Sequence, residues 1–343
     1  VVAVAVAAAA RVPLIIDTDI GGGGCMDVDD VGAVCMANAL ADNGEVELLA
    51  VVADTGPPHG VGVISVLNSY YGRADVPVGA YKGGGLNESQ FLPYTADLVA
   101  HWPSPVKNAS QVLDSVELYR RVLAAQPDGS VVISSVGLLT NLALLLQSAP
   151  DAHSPLGGPD LLAQKVKLLA VMGGEYPGGG TRPEGCNFCG CAFGDAASVE
   201  TAIAASTVFF SLLPPGVRVM YVGMSLGLQV QTGARLSTCA PRRNPCRQAY
   251  IDYGGGPGRG RYSWDLLATL AAVRGPLAAG CAECTDCDGV NGIDSTTGVN
   301  KWTFGRPSNQ SFLVLRHARL AGDTIDELLC QVPKHGPTSY DEF

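Results

Sequence analysis

Short apolar runs recur along this chain, separated by segments in which apolar residues return every three or four positions. The continuous runs predict strands at Val12 to Ile16, Val46 to Ala53, Val76 to Tyr81, Val131 to Val136, Val166 to Met172, Val208 to Leu213 and Val217 to Val222. The periodic segments predict helices at Val31 to Ala41, Val63 to Tyr71, Ser115 to Ala125, Leu139 to Gln147 and Ala196 to Ala205. Alternation of this kind indicates an α/β fold with a mostly parallel central sheet and helices on both faces.

The predicted elements form one domain, residues 12–343, in which several Gly- or Cys-rich loop insertions interrupt the α/β pattern. These insertions are Gly83 to Asn108, Gly178 to Gly194, Gly254 to Tyr262 and the Cys-rich Gly280 to Val299. Residues 1–11 form a separate extended segment, "VVAVAVAAAA" followed by Arg11. This segment is either the remnant of a signal sequence or a strand that pairs with another subunit, and both interpretations remain open.

Composition and charge exclude several classes of partner. The chain of 343 residues is 47% hydrophobic and carries a net charge of −10, with no run of Lys or Arg. A nucleic acid polymer requires a basic surface, so we expect none as a partner. The longest apolar run, Val1 to Ala10, is too short to cross a bilayer, so we expect no membrane-spanning helix.

Eleven cysteines and three Asn-x-Ser sequons, at Asn87, Asn108 and Asn309, favour a secreted, disulfide-bonded glycoprotein. The clusters "CNFCGC" and "CAECTDC" have spacings that suit either zinc or disulfides, and disulfides fit a secreted chain better. A local pair between Cys239 and Cys246 is one expectation. Because eleven is odd, one cysteine lacks a partner within the chain, and Cys25 and Cys35 are the candidates.

Five aspartates lie within fourteen residues after the first predicted strand. They are Asp17, Asp19, Asp27, Asp29 and Asp30, and four consecutive glycines separate the first two from the rest. So many carboxylates repel one another unless a cation lies among them, and Ca²⁺ accepts irregularly placed oxygen ligands more readily than Mg²⁺ does. Asp29 and Asp30 are alternatively helix N-cap residues, an interpretation that leaves Asp17 and Asp19 unexplained.

Five segments resemble, in order, the conserved motifs of the inosine-uridine nucleoside hydrolases. They are "DTDIG" followed by "DD" at Asp29 and Asp30, "VGLLTNLALLL" (Val136 to Leu146), "KLLAVMGG" (Lys167 to Gly174), "CNF" (Cys186 to Phe188) and "SWDLLATL" (Ser263 to Leu270). The resemblance extends from about Pro13 to Arg274, which is most of the chain. It implies the fold of that family and an N-glycosyl hydrolase activity on ribonucleosides.

The resemblance also implies roles for individual residues. It implies a Ca²⁺ ion held by Asp19, Asp30, Asp265 and the carbonyl of Thr140, with Asp19 also acting as the general base. It assigns substrate binding to Asp29, Asn187 and Glu184. Many members of the family have a His immediately before the late Asp, where this chain has Trp264. An indole at that position suits stacking on a purine base and assistance to its departure, or else a wall of the site with no part in the chemistry.

Three departures from the family's pattern leave two functions open. The insertion "IGGGGCMDV" lengthens the carboxylate loop, Asp54 stands where a Gly-Asn pair is usual, and Glu184 is one residue farther from Asn187. The first function is Ca²⁺-dependent hydrolysis of nucleosides, with purine nucleosides favoured, to ribose and free base. The second is a weakened or inactive glycoprotein of the same fold with a structural, self-assembling extracellular role. A homo-oligomer is expected, formed through the N-terminal strand.

Overall fold

The computed structural model describes residues 10–22, 25–87, 89, 91–178, 187–189 and 195–335. Its strands are β1 (Val12–Thr18), β2 (Val46–Ala53), β3 (Val78–Ala80), β4 (Leu113–Asp114), β5 (Val131–Ser135), β6 (Val166–Met172), β7 (Val219–Val222), β8 (Gln231–Thr232), β9 (Arg261–Tyr262), β10 (Cys281–Glu283), β11 (Gly289–Ile293), β12 (Asn300–Phe304) and β13 (Gln310–Leu315). Its helices are α1 (Asp29–Asp42), α2 (Gly60–Tyr70), α3 (Pro93–His101), α4 (Ser115–Ala124), α5 (Thr140–Gln147), α6 (Gly158–Lys165), α7 (Ala196–Leu212), α8 (Met224–Gly227), α9 (Leu236–Cys239), α10 (Pro245–Gly254), α11 (Trp264–Arg274) and α12 (Ala318–Leu329).

Nine strands form one sheet in the order β10-β13-β7-β6-β5-β1-β2-β3-β4. All neighbours in this sheet run parallel except β10 and β13, which are antiparallel. The strand order reverses between β1 and β5, and open parallel sheets bind ligands at such a point, beyond the carboxyl ends of the strands. The predicted mostly parallel sheet is therefore confirmed.

Alternate side chains of β1 pack into two cores, one on each face of the sheet. Leu14 and Ile16 belong to the core that contains α1 and α11, whereas Ile15 belongs to the core beneath α4 and α5. Strands that are buried on both faces read as continuous apolar runs, which is why the sequence pattern identified them. The helices that carry the candidate site are therefore packed against a sheet that is buried on both faces.

One predicted strand, Val208 to Leu213, is wrong, because the structure places it at the end of α7. Asp195 caps this helix by accepting a hydrogen bond from the Ser198 N–H at 2.9 Å. The buried residues then recur at helical spacing, at Ser198, Ala202, Ser206 and Phe209. No helix-breaking residue occurs before Pro214 and Pro215, so the helix continues through a run whose β-branched and aromatic residues favour a strand in isolation.

The disulfides correct two expectations about the cysteines. Cys239 pairs with Cys330 rather than with Cys246, and Cys246 pairs with Cys35 on α1. Cys25 is also disulfide-bonded, so neither Cys25 nor Cys35 is the unpaired cysteine. Pairing over such sequence distances depends on which helices meet in the fold, and local spacing does not reveal it.

Within the "CAECTDC" cluster, Cys284 and Cys287 form a disulfide, which agrees with the preference for disulfides over zinc. Cys281 is a buried free thiol. Cys186 and Cys191 of the other cluster, and the N-terminal residues 1–9, lie outside the described residues. Within the described ranges, no helix has the length and apolar character needed to cross a membrane.

Candidate active site

Three aspartates meet where the N-terminal ends of two helices face each other. Asp29 and Asp30 lie in the first turn of α1, and Asp265 lies in the first turn of α11. One oxygen from each of the three carboxylates lies within 4.8 Å of the others, and all three residues are buried. The Asp265 N–H also donates a hydrogen bond to Asp29 Oδ2 at 3.2 Å. Helix N-termini favour negative charge, so the ionised carboxylates in these first turns are stabilised by the helix dipoles.

The N-cap residue of α1 is Val28. The alternative interpretation of Asp29 and Asp30 as N-cap residues is therefore wrong. No side chain caps this helix end. The carboxylates are therefore free to point towards the strand ends instead of folding back onto their own helix.

Asp19 follows the last residue of β1 and lies beside this cluster. Its Oδ2 accepts a hydrogen bond from the Cys25 N–H at 2.5 Å, and its carboxyl group is within hydrogen-bonding reach of Asp30. The hydroxyl of Thr18, the last residue of β1, donates a hydrogen bond to Asp30 Oδ1. Burial raises the pKa of Asp19 to about 7, although the Cys25 hydrogen bond opposes the rise. Burial is therefore the main influence on the pKa of Asp19.

Burial and mutual repulsion also raise the pKa values of the other three carboxyl groups above their ordinary range. For Asp29 and Asp30 the main cause is burial, followed by repulsion from neighbouring aspartates, and the same holds for Asp265. A divalent cation would remove this repulsion, and carboxylate oxygens are the ligands that hard cations prefer. The chemistry of the buried donor set thus fits a hard divalent cation.

A second pair of buried carboxyl groups lies near Asp19. The sequence analysis did not predict that these two groups meet. Asp17 on β1 and Asp54, which follows β2, are within hydrogen-bonding reach of each other. The Tyr119 hydroxyl and the Asn141 amide donate to Asp17 Oδ2 at 2.7 and 3.0 Å. Burial raises the pKa of Asp17 to about 6 and that of Asp54 well above its usual range. The available signal was that β1 and β2 are neighbours whose carboxyl ends each carry an aspartate.

Gly137 explains how closely these groups pack. A Cβ atom on this residue would lie 2.3 Å from Asp54 Oδ2 and 2.4 Å from the Asp19 nitrogen, so only glycine fits in the turn after β5. The next helix begins at Thr140, whose hydroxyl donates to the Asp54 carbonyl at 2.5 Å. Thr140, a predicted ligand, therefore lies close to the end of β2 and to Asp54.

Asn187 bridges the ends of β5 and β6. Its Nδ2 donates to the carbonyls of Val136 and Met172 at 2.8 and 3.1 Å, and the Cys25 sulfur lies 3.1 Å from its Oδ1. Its φ of +76° is a left-handed conformation that asparagine tolerates better than most residues. These contacts place Asn187 at the carboxyl edge of the sheet. Glu184, the other predicted sugar-binding residue, lies outside the described residues.

Trp264, at the start of α11, is buried against the same edge of the sheet. Its Nε1 donates to the Met224 carbonyl at 2.8 Å, and Gly227 packs so closely that a Cβ there would lie 2.0 Å from the indole Cδ1. The Arg261 guanidinium carbon lies 5.2 Å from the centroid of the indole ring. The orientation of the indole is therefore fixed by its neighbours.

The three sequons lie at or near the surface. Asn108 and Asn309 are exposed and Asn87 is partly buried. The amide group of Asn309 donates to the Gly216 carbonyl at 3.0 Å. None of the three belongs to the carboxylate cluster.

Comparisons with known proteins agree with this architecture. The sequence model of a family described as inosine-uridine preferring nucleoside hydrolase matches residues 14–273. Among curated proteins, none is similar enough in sequence to count as a match.

Several solved structures share the fold. A plant nucleoside hydrolase has a TM-score of 0.66 at 18% identity, covering 93% of this chain and 99% of its own. A purine-preferring ribonucleoside hydrolase from Gardnerella vaginalis has a TM-score of 0.64 at 17% identity, covering 94% and 99%. The type III effector protein XopQ, in complex with adenosine diphosphate ribose, has a TM-score of 0.63 at 15% identity, covering 95% and 94%. At these identities the likeness concerns the fold.

Proposed function

This chain belongs to the inosine-uridine preferring nucleoside hydrolase family, and from that premise we propose that it hydrolyses the N-ribosidic bond of nucleosides with the help of Ca²⁺. We propose further that purine nucleosides are its preferred substrates. The observation that carries the proposal is the meeting of the buried carboxylates of Asp29, Asp30 and Asp265 beside Asp19. A structural glycoprotein would have no need for so many buried acidic groups in one place, since their burial opposes folding.

The proposed ligands of the cation are Asp19, Asp30, Asp265 and the carbonyl of Thr140. Bound Ca²⁺ supplies a fixed positive charge that orients ribose hydroxyls and makes a water molecule more acidic. Asp29 is the proposed partner of the ribose hydroxyls. Asp19 is the proposed general base, because its carboxyl group lies beside Asp30 at the proposed cation site.

The buried carboxylates also suit the positive charge that develops during the reaction. Breaking an N-ribosidic bond leaves positive charge on the ribose ring, and fixed negative groups in a site shielded from bulk water stabilise that charge strongly. Asn187 and Glu184 are the proposed sugar-binding residues. Trp264 is the proposed contact for a purine base, in keeping with its position beside the cluster.

The long glycine-rich insertion is compatible with this function. Its described residues return to the site, because the Cys25 N–H binds Asp19 and the segment then leads directly into α1. The insertion thus leaves Asp29 and Asp30 beside Asp265, the arrangement that a cation requires.

The decisive experiment is hydrolysis of inosine, guanosine, adenosine, uridine and cytidine by the purified protein, first with Ca²⁺ and then with a chelator. Release of free base that stops with chelator, and that is lost in Asp19→Asn and Asp30→Asn, is the expected result. Asp128→Asn is the matched control, since Asp128 is an exposed carboxylate that pairs with Lys165 at 2.7 Å. No release from any nucleoside by the folded protein would refute the enzymatic proposal and favour the structural one.

We also propose that the protein is secreted and glycosylated, and that it assembles as a homo-oligomer through residues 1–11. The disulfides and the surface positions of Asn108 and Asn309 support the first part. A mobility shift on removal of N-linked glycans tests the glycosylation. Chromatographic mass with and without residues 1–11 tests the assembly, and an unchanged mass would refute the role of that segment.

A further inference from the structure

The insertion between Asp19 and Asp29 is anchored by an ion pair to a distant part of the chain. Nε of Arg261 lies 2.9 Å from both carboxylate oxygens of Asp27, and Nη2 of the same guanidinium also donates to Oδ2. Asp27 Oδ1 accepts a further hydrogen bond from the Val28 N–H at 2.7 Å. The backbone carbonyl of Asp27 accepts from the Tyr94 hydroxyl at 3.0 Å. The conformation of Asp27 is therefore fixed on both its side chain and its backbone.

Arg261 is itself held in place by aromatic rings. Its guanidinium carbon lies 5.5 Å from the ring centroid of Tyr253, 5.3 Å from that of Tyr262 and 5.2 Å from that of Trp264. The Arg261 side chain is 31% exposed and that of Asp27 is 11% exposed, so the pair is largely shielded from water. Bidentate pairs of this kind are stronger and more directional than ordinary surface ion pairs.

The position of the pair connects the two helices that carry the carboxylate cluster. Asp27 lies two residues before α1, whose first turn contains Asp29 and Asp30. Arg261 lies on β9, three residues before Trp264, the first residue of α11, whose first turn contains Asp265. The bond between Asp27 and Arg261 thus joins the segments that lead into the two helix ends.

We propose that Asp27 and Arg261 form a positioning pair that holds the carboxylates of Asp29, Asp30 and Asp265 at the separation a divalent cation needs. This inference rests on the proposed function, because the cation site is the one proposed above. Neither residue touches the cation or the substrate in this account. The pair acts by fixing Asp27, and with it the point at which the chain enters α1.

The pair also places the positive charge of Arg261 beside the carboxylate cluster without occupying the proposed cation site. Arg261 and Asp27 bring opposite charges close to Asp29. Loss of Arg261 alone would leave one more unpaired carboxylate near the cluster. Loss of both residues would restore the charge balance near the cluster but would remove the bond that anchors Asp27. Comparison of the single and double variants therefore separates the effect of charge from the effect of position.

The test is a titration with Tb³⁺, which replaces Ca²⁺ at oxygen sites and luminesces when nearby indole or phenol rings are excited. Loss of an outer partner of a metal site weakens binding by about 10- to 100-fold. We expect that weakening in Asp27→Asn and in Arg261→Gln, and no greater weakening in the double variant, since the two act through one bond. Arg261→Lys keeps the charge but loses the fork, and it is expected to bind weakly too.

Arg274→Gln is the matched control. It removes an ion pair with Glu45 at the other end of α11, in which Nε and Nη2 each lie 2.7 Å from a carboxylate oxygen, and the Arg274 side chain is 28% exposed, close to the 31% of Arg261. Its Tb³⁺ affinity should equal that of the parent. Parental affinity in Asp27→Asn, which keeps the shape of the side chain, would overturn the positioning pair even if Arg261→Gln did not fold. Failure of the parent itself to bind Tb³⁺ would instead refute the proposed cation site, and this inference with it.

Discussion

The indole Nε1 of Trp264 donates a hydrogen bond to the backbone carbonyl of Met224 at 2.8 Å. This bond joins the start of α11 to α8, whose Ser225 N–H and hydroxyl donate to Glu175 Oε2 at 3.0 and 2.8 Å. The Asn300 amide in turn donates to the Glu175 carbonyl at 3.1 Å. Residues far apart in the sequence therefore fix the orientation of Trp264.

Trp264→Phe should lower the turnover of inosine while leaving the protein folded. The variant keeps an aromatic ring but loses the hydrogen bond to Met224, which costs about 1 kcal/mol of stability. Stacking contributes about 0.5–1.5 kcal/mol, so we expect hydrolysis of inosine to slow by about threefold to tenfold. Uridine presents a smaller ring and should be affected less. Equal losses for the two nucleosides would indicate that Trp264 serves only as a wall of the site.

The protein without metal should become less stable as the pH rises from 5 to 8. The folded-state pKa values of Asp17 and Asp19, about 6 and about 7, lie above the unfolded value of 3.8. Their contribution to stability is therefore present below pH 3.8 and is lost as the pH rises through 6 and 7. Thermal unfolding followed by circular dichroism in the presence of chelator measures this effect.

Added Ca²⁺ should raise the midpoint of thermal unfolding at pH 8 and have a much smaller effect at pH 5. The reason is that protons and the cation compete for the same carboxylates. Asp30→Asn should abolish the Ca²⁺ effect at both pH values, whereas the exposed Asp128→Asn should retain it. An equal Ca²⁺ effect at pH 5 and pH 8 would contradict competition at this cluster.

Asp54→Asn should stabilise the metal-free protein at pH 8 and leave it unchanged at pH 4. Burial and the neighbouring Asp17 raise the pKa of Asp54 well above its usual range, so ionisation at high pH opposes folding. An amide of the same shape removes that charge. Urea unfolding at the two pH values measures the difference. A loss of stability at pH 8 would mean that the carboxylate of Asp54 has a favourable partner.

Removal of the disulfide between Cys239 and Cys330 should destabilise the protein more than removal of the one between Cys284 and Cys287. The first bond spans 91 positions and the second spans 3. Loop-closure entropy then predicts losses of about 5 and about 2 kcal/mol for the respective double Ala variants. Denaturant unfolding without reductant gives both values. The opposite order would indicate that native contacts, not chain entropy, dominate the effect.

The sequence alone determined most of the fold. Continuous apolar runs gave β2 and β6 with their observed limits, because strands buried on both faces carry a local signal that does not depend on their partners. The same reasoning failed at Val208 to Leu213, where local preference for a strand was overridden by the packing of α7. The sequence also indicated Asp19, Asp29 and Asp30, because so many carboxylates after one strand repel one another unless a cation lies among them, and the family resemblance added Asp265.

Only the tertiary structure decided which of these groups meet. The pairs Asp17 with Asp54 and Asp27 with Arg261 join different strands and loops, as do the disulfide partners of Cys35 and Cys239. Periodicity in a sequence reports which face of an element is buried, but it carries no information about the element that packs against it. Contacts between distant elements follow from strand order and helix packing, and these bring Asp265 and Asp54 to the carboxylates that follow β1.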